Sequence, residues 1–529
     1  MATVLSLFPI VLLIYLMTKK RSMPSYFALP LMAVLLYLIK MFFFHIDTTL
    51  INATVVNGLL TAWTPIMIIW GAVFLFRTME HTGAMGTIRT WLNEVTTNKV
   101  AQLMIIGWAF AFLIEGASGF GTPAAIAAPI LVGLGFPAVR VAMLCLIMNS
   151  VPVSFGAVGT PVWFGLGQLG LSHAELLNIG MKTATIHAAA ALVIPVIALV
   201  FVVSFKEVKK NLVFVFLSIL SCVVPYLLLA QVNYDFPSVV GGAIGFVLSV
   251  TLAHWGVGLA KDKDHAETVK SVPIPAVIRA SFPLWGTVLL LLVTRIKQLG
   301  IKPLLVASKP ALAATLGHFG TLSISSSLVI SLSHIFGTAS GWKFQTLYIP
   351  SLIPFFVISA ITFLIFKASA KTMREVAHES YKQMRKPIAA LLGALVFVKL
   401  LMVGGQHSSA VLIGQSLADV AGEKWRYFAS YLGALGAFFS GSNTVSNLTF
   451  GGIQVGIAKS LGMNVSSILA FQTVGGAMGN MICINNIVAV CSVLGISGYE
   501  EGFILKRTVI PMVIYGIIVA IVGTLLFAV

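Results

Sequence analysis

The chain has 529 residues, of which 58% are hydrophobic and only 9% charged, against roughly 25% charged in a soluble domain. Lys and Arg outnumber Asp and Glu by 33 to 16, for a net charge of +17. The basic residues lie between apolar runs, as the flanking charges of membrane spans do, and not on a solvated face that would hold nucleic acid. Cys145, Cys222, Cys483 and Cys491 sit in apolar stretches without metal-ligand spacing, so neither a disulfide framework nor a zinc site is indicated. A soluble enzyme, a nucleic-acid binder and a secreted scaffold are ruled out, and the composition reads as a polytopic membrane protein in contact with lipid.

A helix needs about 20 apolar residues to cross a bilayer core. The first apolar run, residues 2–17, has no charge before it and Lys19, Lys20 and Arg21 after it. That order is the reverse of a signal peptide and predicts a retained first helix with its N-terminus outside. Further runs follow near 25–44, 50–76, 101–115, 137–157, 181–204, 211–231, 237–260, 280–296, 346–366, 387–404, 427–440, 465–491 and 508–528, which predicts about 12–14 transmembrane helices. Positive clusters at 18–24, 206–210 and 367–386 mark cytoplasmic loops, while 45–49 and 231–236, without Lys or Arg, mark external ones. Residues 371–386 read as a cytoplasmic surface helix touching anionic lipid. Residues 299–345 break the pattern: parity makes them external, yet they carry Lys302, Lys309 and Lys343. This Ser-rich segment has room for one more weak span around 320–337. No linker separates a soluble domain, so residues 1–529 form one membrane transport domain.

Two parts of that domain share an order of events. An apolar helix runs into Glu115-Gly-Ala-Ser-Gly-Phe-Gly-Thr-Pro123, a short stretch reaches Gly135, and a new run is interrupted at 152–161. Later, helix 427–439 runs into Ser440-Gly-Ser-Asn-Thr-Val-Ser-Asn447, a short stretch reaches Gly462, and the next run is interrupted at 475–480. By parity the two sets enter from opposite faces. The expectation is therefore an all-α fold of two inverted repeats with re-entrant hairpins and broken helices, half one about 50–204 and half two about 346–529, joined by 205–345. Gly- or Pro-interrupted segments at matching places in two halves are a pointer to a transport site.

Gly116, Gly119, Gly121 and Pro123 cannot support a continuous helix, and a break within hydrocarbon must face protein or a water-filled cavity. Helix N-termini exposed there attract an anion. Ser118, Thr122, Ser442, Asn443 and Thr444 can bond a carboxylate or hydroxyl. Glu115 alone among the sixteen acids directly follows a long apolar run and precedes a break. A lone carboxylate there must be paired or protonated, which suits it to carry one proton per cycle; a structural ion pair with Arg140 or Lys399 is the competing reading. Lys399 lies well inside 387–404 and reads as a counter-charge to Glu115 or to an anionic substrate. Arg140, Asn149, Ser154, Asn480 and His407 are further binding candidates. Lys40, Arg279 and Arg295, near span ends, read as snorkelling cations. His187 and His254 read as packed histidines in preference to relays. No phosphate-binding loop, zinc-protease or serine-hydrolase motif occurs, so neither enzyme chemistry nor a cofactor or resident metal is expected.

Residues 115–125, 152–161 and 440–450 resemble the L-lactate permease family of bacterial and archaeal inner-membrane carriers, and the likeness covers nearly the whole chain. The resemblance implies proton-coupled symport of L-lactate, glycolate and related short 2-hydroxy monocarboxylates, in a multi-pass protein of the cytoplasmic membrane. It also implies membership of a broad ion-transporter group with paired inverted repeats that often move as elevators. In sodium-coupled members of that group a Ser-Asn-Thr motif lies at a cation site. Here Ser442-Asn443-Thr444 stands in half two, but Glu115 and Ala117-Ser118-Gly119 stand in half one, as if a proton had replaced a sodium ion. Sodium coupling and an anion channel are the alternatives.

Overall fold

The computed structural model describes residues 2–18, 23–119, 122–260, 272–295, 299–349, 352–496 and 498–527. The Lys19–Lys20–Arg21 cluster thus lies outside the described residues. Among those described, eight helices are long and apolar enough to cross a membrane, or nine if the pair Ala138–Met148 and Pro152–Leu169, bent by 56°, counts as one. The apolar helices Ala2–Leu13, Tyr26–Phe42 and Ile353–Ile365 are shorter. The fold is that of an all-α polytopic membrane protein with one small sheet. It divides into two compact units, Met1–Thr82 with Phe282–Val420, and Gly83–Ser281 with Ala421–Val529.

The first unit is organised by a single helix, Ala370–Met402. The expected surface helix 371–386 and the span after it are one continuous rod, because Pro387 falls inside the helix without ending it. Two glycines let its neighbours approach. A Cβ on Gly393 would lie 2.3 Å from the Pro30 nitrogen, and one on Gly58 would lie 2.8 Å from the Val396 Cα. At the polar end His81 is bonded to Glu379 at 3.1 Å, and Arg77 lies 3.4 Å from the same carboxylate. At the other end Lys40, expected to snorkel, is fully buried. Its Nζ donates to the Val403 carbonyl at 3.3 Å and sits over the Phe44 ring, a use of lysine that neutralises a helix C-terminus.

The poorly classified segment is not a span. Residues 311–345 form a four-stranded antiparallel sheet in sequence order, with Ala311 opposite Ser325, Thr321 opposite Ser333 and Val329 opposite Gln345. Thr321-Leu-Ser-Ile-Ser325 and Val329-Ile-Ser-Leu-Ser333 alternate with a period of two, which is a strand pattern. The Ser323 and Ser331 hydroxyls pair across it at 2.7 Å. Leu332 and Ile335 then pack on Ala53 of helix Thr48–Thr61.

In the second unit the run Lys99–Ser118 is buried from Val100 onward. It is helical from end to end, passing through a π-helical stretch at Leu103–Phe110. Helix Pro237–His254 presses against it through small residues, as membrane helices do. A Cβ on Gly242 would stand 2.4 Å from the Leu113 nitrogen, and one on Gly116 would stand 2.4 Å from the Val239 nitrogen. Two sets of elements then follow the same order. Lys99–Ser118 ends at Gly119, helix Thr122–Gly133 follows, Gly135 turns the chain, and Ala138–Met148 leads to a 3-10 turn at Pro152–Phe155. Helix Trp425–Ser440 ends at Gly441, helix Asn443–Ser460 follows, Gly462 turns the chain, and Val465–Gly479 leads to a 3-10 turn at Asn480–Ile482.

The breaks are shorter than the sequence suggests. Helix resumes at Asn443, leaving only Gly441 and Ser442 outside it. Gly475, Gly476 and Gly479 lie inside a helix, and the interruption starts at Asn480. Those glycines instead serve packing: a Cβ on Gly475 would be 1.9 Å from the Ser430 carbonyl, and one on Gly433 would be 2.1 Å from that of Gln472. Because the Gly242 contact is backbone on backbone, Gly242→Val should cost about 1–3 kcal/mol. The expected result is a lower melting temperature of the detergent-purified protein, read by intrinsic fluorescence.

Candidate functional site

Both interrupted elements of the second unit line one small cavity of about 10 Å³, room for about one water molecule. One wall is Glu115 and Gly119, at the end of the first buried helix. Opposite stand Ser442, Asn443 and Thr444, with Asn480 beside them. Val153, Gly156, Ala157 and Pro161 complete the lining.

Glu115 is 1% exposed. Asn149, which caps helix Ala138–Met148, donates its Nδ2 to Glu115 Oε2 at 3.0 Å. No ion pair holds this acid among the described residues of its own unit, so the competing reading of a pair with Arg140 is not what is found. The other carboxylate oxygen fits only because residue 156 is glycine: a Cβ there would be 2.4 Å from Oε1. The chain beyond Gly156 is strained. Ala157 at φ 45°, Val158 at φ 55° and Gly159 at φ 72° form three successive left-handed residues, a conformation that costs a β-branched residue dearly. Local bonds hold them, with Thr160 Oγ1 donating to the Ala157 carbonyl and Trp163 Nε1 donating to that of Val158 at 3.0 Å.

The facing wall is the start of helix Asn443–Ser460. Ser442 is its N-cap, accepting from the Val445 amide at 3.3 Å. The first-turn amides and positive dipole end therefore meet the cavity, an arrangement suited to an anion. Asn443 donates its Nδ2 to the Thr473 carbonyl at 2.9 Å and to Ser154 Oγ at 3.3 Å. Asn447 donates to the Pro161 carbonyl at 3.0 Å and to Thr473 Oγ1 at 2.6 Å. The Oδ1 atoms of Asn149, Asn443 and Asn447 are buried and accept no hydrogen bond among the described residues. Farther back, Trp425, Gln454, Gln472 and Ser446 form a closed chain of bonds that locks the three helices of this half together.

The structure thus gathers Glu115, Gly119, Ser442, Asn443, Thr444 and Asn480 at one cavity, with Asn149 and Ser154 directly behind. Gly116 serves the contact with Val239. The Ser118 hydroxyl is turned back on the Ile114 carbonyl at 2.8 Å. Gly121 and the Thr122 side chain lie outside the described residues. Arg140 is exposed on helix Ala138–Met148. Lys399, partly exposed on helix Ala370–Met402, and the exposed His407 belong to the first unit. Sequence reasoning missed Thr473, Gln472 and Tyr515, which are single polar groups within apolar helices and carry no local signal.

A helical membrane protein that brings two helix breaks and a buried acid to one cavity has the build of a permease. The chain belongs to the L-lactate permease family, whose model matches residues 2–529. It is 52% identical to a Haemophilus influenzae protein named "Putative L-lactate permease", over 98% of this chain and 97% of that one. It is 27% identical to the L-lactate permease of Bacillus subtilis, covering 86% and 83% respectively. It is 26% identical to glycolate permease GlcA of Escherichia coli K12, covering 93% and 90%. This is a multi-pass bacterial membrane protein, and a permease in place of an enzyme.

A size exchange tests the cavity wall. Gly156→Ala should displace the Glu115 carboxyl and lower uptake at least tenfold in liposomes loaded with equal amounts of monodisperse protein. Adding Glu115→Asp, one methylene shorter, should restore part of the flux.

Proposed function

We propose that this protein carries L-lactate, glycolate and related short 2-hydroxy monocarboxylates together with a proton. The substrate class follows from the family and from the named relatives. One observation carries the coupling: Glu115 lies buried, without a cation among the described residues of its unit, in the same cavity as the start of helix Asn443–Ser460. A substrate carboxylate seated on the Asn443 and Thr444 amides, in a state where the cavity has widened to admit it, shares that space with the Glu115 side chain. Two bare carboxylates in a low-dielectric site repel strongly. Anion entry therefore requires a proton on Glu115, and with the anion gone that proton can leave. Thr444 and Ser442 supply hydroxyl partners for the substrate. In this reading residues of about 50–204 and 346–529 form the inverted repeats, each contributing one broken element.

In reconstituted vesicles, lactate entry should raise the external pH, and Glu115→Gln should abolish that change while flattening the pH dependence of flux. Normal flux with an unchanged pH profile in this variant would refute the role of Glu115. Uphill accumulation of labelled lactate under an imposed pH gradient excludes a channel.

Sodium coupling has one observation in its favour. The Oδ1 atoms of Asn443 and Asn447, which accept no hydrogen bond among the described residues, are hard oxygen donors of the kind that bind such a cation. Proton coupling predicts equal flux with and without sodium at fixed pH, and a sodium requirement would transfer the coupling to these amides.

A further inference from the structure

Behind Asn443 lies a buried chain of side chains that the transport reading does not use. His187, on helix His173–Ala191, is fully buried. Its Nε2 stands 2.7 Å from Ser154 Oγ, and its Nδ1 meets the hydroxyl of Tyr515 from helix Gly498–Leu526. Ser154 Oγ is also 3.1 Å from the Thr473 carbonyl and receives the Asn443 Nδ2 at 3.3 Å. Three helices thus converge on one serine hydroxyl.

Counting protons selects a single arrangement. A serine hydroxyl has one hydrogen, a neutral imidazole has one N–H, and a tyrosine has one O–H. If Tyr515 donates to Nδ1, Nε2–H donates to Ser154 Oγ and Ser154 donates to the Thr473 carbonyl, every group is satisfied. Both Asn443 N–H bonds then also find acceptors. The opposite tautomer leaves the Tyr515 hydroxyl hydrogen without an acceptor among the described residues and takes the serine proton away from Thr473. A second proton on the imidazole, at Nδ1, would turn the Tyr515 hydroxyl into an acceptor and leave its hydrogen without an acceptor among the described residues. The chain is polar, dry and directional, and buried networks of this sort fix one geometry.

We propose that His187 is a positioning residue of the transport site. Neutral and in one tautomer, it holds Ser154, and Ser154 with Thr473 fixes the amide of Asn443 at the cavity wall. This rests on the substrate site proposed above, but it assigns His187 no share in carrying the proton.

The test uses full-length protein in liposomes, with flux measured against lactate concentration and pH, and melting temperature measured in parallel. His187→Ala and Ser154→Ala should each raise KM about tenfold, with Vmax within twofold. The double variant should be no worse than either single one, because the residues act in one chain. His187→Gln, which keeps a donor, should recover most of the affinity. The pH profile should match the unmodified protein throughout. An unchanged KM in Ser154→Ala, or additive effects, would overturn the proposal. So would a flattened pH profile in the His187 variants, because that profile would make His187 the proton carrier. A melting temperature that falls while KM holds also counts against it. If His187→Ala does not fold, Ser154→Ala and Tyr515→Phe each remove one hydroxyl and leave the test standing. Failure of Glu115→Gln to flatten the pH profile bears on the coupling alone and leaves these affinity effects readable.

Discussion

A peptide group in hydrocarbon must find a partner, and this requirement governs every interruption of the helices. The second unit meets it at Gly441 with a very short break: that glycine turns the chain with one left-handed residue, and Ser442 immediately caps the helix that follows. Gly119 also takes a positive φ. The longer deviation at 156–160 is supported by the Thr160 hydroxyl and the Trp163 indole. Two of these interruptions meet at one small cavity, while other buried polar groups bond to one another away from it.

The two halves of that cavity differ in character. One side offers a carboxyl held by a neutral amide, the other a helix start rich in hydroxyls and amides. The two sides are also cross-braced. Ser154 of the first set meets Asn443 of the second, and Asn447 of the second meets the Pro161 carbonyl of the first. A ligand that altered either wall would therefore be felt at the other through direct hydrogen bonds, without any long pathway.

The sequence made the membrane class, the helix ends near residues 119 and 441 and the exceptional position of Glu115 readable, because each rests on local composition. It misplaced features that depend on who the neighbour is. Gly475 and Gly476 look like helix breakers, but they lie against another helix, where their lack of a side chain is the point. Lys40 looks like a span-end cation until the carbonyl of Val403 is found beside it. Residues 320–337 are apolar enough for a weak span, yet their period of two, visible in the serines, is what decides. Thr473 and Tyr515 carry no signal at all, since a lone hydroxyl on an apolar helix gains meaning only from what it touches.

The left-handed run at Ala157 and Val158 has an implication for how this protein ages under selection. Replacing either residue with glycine would relieve torsional strain, so more robust sequences lie one substitution away. The same change would slacken the ledge against which the Glu115 carboxyl rests. Laboratory lineages chosen only for heat tolerance should drift toward glycine here and arrive at sturdy but sluggish carriers.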